Sequence, residues 1–339
     1  MRKSLHTIGI ITLITALSFE AGAEQFFRGS ADASAAVALD SERFIMADDE
    51  DNILRVYNWT QSGSDPNCQT DISAAIGFAP KHPEADIEGA TRLNDRIFWI
   101  TSHGRSKSGA FRPGRCRFFA TRMAPDGSAA VEGVYRNLID DLITYDKQYK
   151  LGLQAAIGTV GDRGSPKKKG KLAPKKEGLN IEGLCTTADG SQMFIGFRNP
   201  RPNKMALIIP LANPETVVLK GEHPLFRPPI LIDLQGLGIR SIEYSPDLRK
   251  YLIIAGSHEG GDDAPAFDLY TYEPENQKTH KLATFSDITP EAIFQFPNAN
   301  DINLLSDDGT RIIDTPSGPI INKELPRERR TFRTRTIKP

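Results

Sequence analysis

The chain has 339 residues, with 42 Lys and Arg against 43 Asp and Glu and a formal charge of −1 at neutral pH. So even a balance excludes a protein that holds nucleic acid by net attraction. The length supplies a sizeable core in one large domain or two.

At the N-terminus, Arg2 and Lys3 precede an apolar run from Ile8 to Leu17, and Ala21-Gly22-Ala23 supplies the small-x-small pattern read by signal peptidase. The run falls short of the roughly 20 residues that a spanning helix needs. Residues 1–23 are therefore expected to be a cleaved signal peptide, and residues 24–339 an exported soluble domain, periplasmic or secreted. Cleavage removes Arg2, Lys3 and Glu20 and moves the formal charge from −1 to −2. No later run is long and apolar enough to cross a bilayer, so nothing transmembrane is expected once the signal is gone.

The rest of the chain repeats itself. Residues 86–90 read Asp-Ile-Glu-Gly-Ala, 180–184 Asn-Ile-Glu-Gly-Leu and 241–244 Ser-Ile-Glu-Tyr, and Thr289-Pro290-Glu291-Ala292-Ile293 is a looser copy. Residues 32–37 hold the same place at the start without the Glu. About ten residues after each phrase comes an apolar strand with a polar end. The five ends are Ala47-Asp48, Ser102-His103, Arg198-Asn199, Ser257-His258 and Ser306-Asp307. Turn residues such as Asn94-Asp95 and Asp189-Gly190 lie between phrase and strand. A third strand follows after a loop in each unit, and a fourth, weaker one in several. Four antiparallel strands recurring about every 50 residues predict propeller blades. The expected fold is all-β, a single β-propeller of five blades, or six if the termini or an insertion hide one.

Residues 136–178 break the rhythm. Leu138-Ile139 and Leu142-Ile143 fall at helical spacing, which predicts an amphipathic helix over 137–155. The Gly164–Lys176 stretch then carries six lysines among Gly and Pro. It reads as a solvated loop or as a contact for an anionic partner. Residues 327–336 alternate like an edge strand that finishes the last blade.

Geometry converts the repeat into a site. The innermost strand of a blade starts where the second strand ends, at one end of the channel. Glu88, Glu182, Glu243 and Glu291 are placed at the starts, and His103, Arg198, Asn199 and His258 at the ends, with Asp48 and Asp307. The glutamates either accept backbone N–H groups of neighbouring blades or bind a ligand. Arg240, three residues before Glu243, either neutralises this acidic ring or grips a phosphate or carboxylate. The two histidines are metal ligands, proton shuttles or hydrogen-bonded loop residues. The acidic turns at Asp48–Asn52 and Asp307-Asp308-Gly309 could hold Ca²⁺, with Asp48, Asp307, Glu88 and Glu182 as candidate ligands.

Three cysteines allow three pairings. Cys185 reads as the spare in a buried strand, which leaves Cys68–Cys116 for a disulfide. No nucleophile elbow, HExxH helix, P-loop or dinucleotide fingerprint is present, so chemistry here would rest on carboxylates, His, Arg and a metal.

Residues 32–36, 180–184, Phe197-Arg198-Asn199-Pro200, Gly238 to Glu243, Tyr251 to Gly256 and Leu305 to Gly309 resemble an uncharacterised bacterial exported family, a domain of unknown function. More distantly, the Ile-Glu-Gly phrases are similar to phytase-like, or esterase-like, propellers, a likeness that implies calcium and phosphoester chemistry. The expected function is binding of a small polar or anionic ligand, or a partner, at an acidic, Arg-bearing channel mouth. The alternative is Ca²⁺-assisted hydrolysis of a phosphoester or ester.

Overall fold

The computed structural model describes residues 20–77, 83–158, 170–257 and 266–338. It opens with β1 (Glu20–Arg28), an outer strand whose partner lies at the far end of the chain. Blade one is β2 (Ala33–Ala38), β3 (Arg43–Asp48), β4 (Ile53–Asn58) and β5 (Cys68–Asp71); blade two is β6 (Ile87–Leu93), β7 (Arg96–Thr101), β8 (Phe118–Met123) and β9 (Ala129–Tyr135). Blade three holds β10 (Asn180–Thr186), β11 (Met193–Asn199), β12 (Ala206–Leu211) and β13 (Ile230–Ile232). Blade four holds β14 (Gly238–Ser245), β15 (Lys250–Gly256), β16 (Phe267–Glu273) and β17 (Lys278–Phe285). The last blade is β18 (Pro290–Phe294) and β19 (Ile302–Ser306), then a hairpin of β20 (Ile312–Thr315) and β21 (Gly318–Ile321), then β22 (Thr331–Lys338).

The five inner strands pack side by side in the order β2, β6, β10, β14, β18, and β18 returns to β2. The result is the expected five-bladed propeller. Blade five is sealed by both ends of the chain, with β1 on its outer edge against β22, Phe27 opposite Phe332 and Glu24 opposite Arg335. Residues 331–336 of the tail thus belong to the third strand of the blade and not to its edge, while Arg327–Arg329 form a 3-10 turn. A closed ring leaves few bare strand edges.

Each hydrophobic core lies between two blades. Ile45, Val56, Ile87 and Trp99 join blades one and two; Phe44, Tyr57, Phe294 and Phe332 join blades one and five. Period-2 strands bury both faces in this way, which is why the second strands read as continuous apolar runs. Inner strands meet closely where the channel narrows: a Cβ on Gly183 would lie 3.0 Å from the Ile239 side chain of the next blade.

Among the described residues, the insertion between blades two and three holds two α-helices rather than one. Besides α1 (Ser73–Ile76) in blade one, the chain forms α2 (Leu138–Tyr149) and α3 (Leu153–Ile157), with Lys150 and Gly152 in left-handed backbone between them. Leu138, Ile139, Leu142 and Leu153 fill the blade two–three core. A further helix, α4 (Pro214–Lys220), covers the same side. Residues 164–169 of the lysine stretch lie outside the described residues. The remainder, to Gly178, folds back onto the ring, held by a turn so tight that a Cβ on Gly178 would collide with the Leu172 carbonyl.

The cysteines are free thiols. Cys68 packs against the blade one–two core and Cys116 lies within the blade two–three core, on opposite sides of blade two. That separation corrects the Cys68–Cys116 pairing.

Candidate functional site

All five inner strands carry a register shift near their starts, and in three of them the extra residue is the glutamate the repeat marks. The shifts fall between Ala33 and Ala35, Ile87 and Gly89, Ile181 and Gly183, Ile239 and Ser241, and Pro290 and Ala292. The residues left unpaired are Ser34, Glu88, Glu182, Arg240 and Glu291. A bulge of this kind turns a side chain out of the sheet's alternation. Repeated five times around a ring, it presents five side chains to one end of the channel.

Arg240 therefore stands in blade four where blades two, three and five have Glu. Its Nε lies 2.9 Å from Glu182 Oε2, in ionic contact though not aligned as a hydrogen bond, and its Nη2 pairs with Glu291. One guanidinium thus ties blade three to blade five through blade four, and its carbon lies 5.6 Å from the Phe267 ring centre. Glu182 also accepts from Asn180 Nδ2 at 2.6 Å and from Arg198 Nη1 at 3.0 Å. Of the two roles weighed for Arg240, neutralising the ring is the one its contacts display. Backbone stitching falls to small residues instead: Ser34 Oγ donates to the Ile87 carbonyl at 2.6 Å, and Ser241 Oγ accepts from Ile293 N–H at 3.2 Å.

These residues line a cavity of about 380 Å³ at the mouth, whose walls hold eight carboxylates and eight cationic side chains. The charges are sorted. Glu50, Asp86, Glu182 and Glu291 have ion-pair partners, among them Lys323, Arg115, Arg198 and Arg240. Asp32, Asp49, Glu88 and Asp307 have none among the described residues. Burial pushes the Asp32 carboxyl up to about 8, helped by Asp307 and Asp48. Burial, and then Glu88, Asp307, Asp48 and Asp32, raise Asp49 well above the ordinary range. Glu88 is raised likewise by burial, Glu182 and Asp86. Like charges gathered without water favour the neutral acid. On the basic side, Lys175 comes from the insertion, and partial burial with the charges of Arg198, Arg240 and Lys107 lowers its ammonium pKa. Lys107, Lys175 and Lys176 line the cavity without a carboxylate partner among the described residues.

Of the predicted residues, Glu88, Glu182, Glu291, Arg240, Arg198 and Asp307 come together here. Glu243 does not. It pairs with Leu252, three residues further along β14 than the bulge, roughly 10 Å at strand spacing. There it lines the opposite opening with Thr91, Thr186 and Gln295, half-buried, its carboxyl raised to about 8 by burial. His103 is 2 % exposed and outside the cavity wall, its Nδ1 2.8 Å from the Thr101 carbonyl, and burial lowers it to about 4. Asn199 is buried and donates to the Gly178 carbonyl at 2.7 Å, fastening the insertion to the ring. Asp48 accepts from Ser30 Oγ at 2.6 Å and from Glu50 N–H at 2.9 Å and likewise lies behind the wall. His258 lies outside the described residues.

Asp32, Asp49 and Asp86 were not singled out by the repeat. Asp32 and Asp86 each sit two residues before a bulge, at the Asp of Asp-x-Ser and Asp-x-Glu, and Asp49 follows the end of the second strand of blade one. One oxygen from each of Asp49, Asp86 and Glu88 falls within 4.8 Å of the others.

Fold and site together define a five-bladed β-propeller with a charge-sorted channel mouth. The model of a family described as a protein of unknown function (DUF3616) matches residues 167–302, which cover blades three and four and the first strand of blade five. No curated protein matches the chain. Similar solved structures include one in a nidogen/laminin complex (10 % identical, 83 % of this chain and 74 % of that one, TM-score 0.39). Others are a Bacteroides thetaiotaomicron protein of unknown function (7 %, 93 % and 76 %, 0.39) and virginiamycin B lyase from Staphylococcus aureus (8 %, 95 % and 100 %, 0.37). Likeness at these TM-scores carries no argument about activity.

Proposed function

We propose that the chain is an exported binding propeller that takes a small molecule bearing a phosphate or carboxylate group at the charged mouth. The observation that carries this reading is the set of lysines without a carboxylate partner among the described residues, Lys107, Lys175 and Lys176, in the same wall as Arg198 and Arg240. Ammonium groups in a part-enclosed site, backed by guanidinium groups whose own carboxylates already hold them in place, attract an anion more strongly than they would in open water. About 380 Å³ is room for a metabolite-sized molecule and not for a folded partner. Export rests on the N-terminal pattern of residues 1–23, and cleavage after Ala23 would leave Glu24 to Arg28 to pair with Thr331 to Arg335 in blade five.

Calorimetric titration of the full chain with inorganic phosphate and with citrate, in EDTA, tests the reading. At least one anion should bind, and a Lys175→Ala, Lys176→Ala double variant should lose tenfold or more in affinity. Wild-type protein that binds neither anion, or a double variant that binds as tightly, would contradict it.

A further inference from the structure

We infer that Asp49, Asp86 and Glu88 form a site for a hard divalent cation of the calcium type, across the junction of blades one and two. The inference goes beyond the anion reading and does not depend on it.

Each of the three offers one carboxylate oxygen to a common point, with the oxygens within 4.8 Å of one another. Calcium–oxygen distances of about 2.3–2.6 Å put two ligands of one ion up to about 5 Å apart, so the group can close on an ion with little movement. The acids have oxygens to spare. Ser102 Oγ and Arg115 Nη1 both bind Asp86 through Oδ2, which leaves Oδ1. Asp49 Oδ1 has no hydrogen-bond partner among the described residues.

Two buried side chains add support for a cation here. Glu88 is 8 % exposed and has no hydrogen bond or ion pair among the described residues. Asp32, 4 % exposed, lines the same cavity, and its Oδ2 is likewise unpartnered. A buried carboxylate left bare costs more than any folding gain it returns, so such groups are paired, protonated or bound to metal. Here the neighbours are further carboxylates, with Arg115, Arg198 and Arg240 beside them. A divalent cation would offset the carboxylate charge gathered there. An all-oxygen donor set with no His or Cys selects Ca²⁺ or Mg²⁺ over zinc or copper. Carboxylates from two separate blades also favour the larger ion, which accepts irregular geometry.

The full chain, stripped with EDTA and desalted, is titrated with CaCl₂ without added phosphate or citrate. One ion should bind, and Glu88→Gln and Asp49→Asn should each weaken binding at least tenfold. In metal-free buffer both variants should melt no lower than wild type, since each removes a repulsion. Wild type that binds none of Ca²⁺, Mg²⁺ or Mn²⁺ up to about 10 mM, beyond the range of weak extracellular sites, overturns the inference. So do variants that bind Ca²⁺ as tightly as wild type. Failure here would leave phosphate binding in EDTA untouched, and failure of phosphate binding would leave the calcium titration untouched.

Discussion

Arg240 holds in blade four the bulged position that Glu182 holds in blade three, and the two side chains meet at 2.9 Å. With Glu291 paired on its other side, Arg240 is 6 % exposed and neutralises two carboxylates of the ring. Removing one partner from a buried ionic group leaves the others uncompensated, which costs about 3–5 kcal/mol. Arg240→Met should therefore destabilise the protein by roughly 3 kcal/mol or more, read as a lower urea midpoint. A change below about 1 kcal/mol, the worth of an exposed pair, would show that water already screens the cluster.

That relationship also marks the limit of what the sequence discloses. The Ile-Glu-Gly phrases locate Glu88 and Glu182 correctly, because the bulge wants a small residue after it and Gly89 and Gly183 supply one. In blade four Ser-Ile-Glu imitates the phrase and points to Glu243, while the bulge is set by Gly-Ile-Arg-Ser. The spacing to the second strand was the better guide: Glu182 lies 16 residues before Arg198, Glu291 the same before Asp307, and Arg240 the same before Gly256. Five blades and the helical insertion were legible because period and apolar runs encode them. The sorting of charge was not, since Lys175 and Asp49 reach the mouth through loops whose paths no periodicity records.

The acidic group makes stability depend on pH. Asp32, near 3.8 when unfolded, is raised to about 8 in the folded chain, chiefly by burial. Between those values the folded state keeps a proton that the unfolded state has lost, so the contribution of this group is full below about 4 and disappears as pH rises to about 8. In metal-free protein, the melting temperature of wild type minus that of Asp32→Asn should fall across pH 5–8 and then level off. A difference that stays flat over this range would mean that Asp32 is already ionised in the folded chain.

The thiols should behave individually. Under denaturing, non-reducing conditions all three should react with Ellman's reagent. In the native protein half-buried Cys68 should react first, and Cys185 should lag because burial raises its thiol well above the usual value. Fewer than three reactive thiols in the unfolded chain would restore a disulfide.

Ring closure rests on β1. A chain beginning at Glu24 keeps Glu24 to Arg28 opposite Thr331 to Arg335 and should fold like the longer one, whereas deletion through Gly29 also removes Phe27 from its stack with Phe332, 5.6 Å between centres. Loss of a buried Phe alone costs about 3–5 kcal/mol, so the shorter chain should melt at least 10 °C lower or aggregate through the bared edge of β22, on the scale of about 2–4 °C per kcal/mol for a chain of this size. Equal melting of the two would show that the last blade is complete without its N-terminal strand.

The most direct measurement for the mouth as a binding site is a crystal of the full chain soaked in tungstate, an electron-dense tetrahedral mimic of phosphate. The account predicts an anomalous peak inside the cavity, within reach of Lys175, Lys176 or Lys107, and its loss in the Lys175→Ala, Lys176→Ala variant. Tungstate found only on the outer faces of the blades, with the mouth left to water, would contradict it.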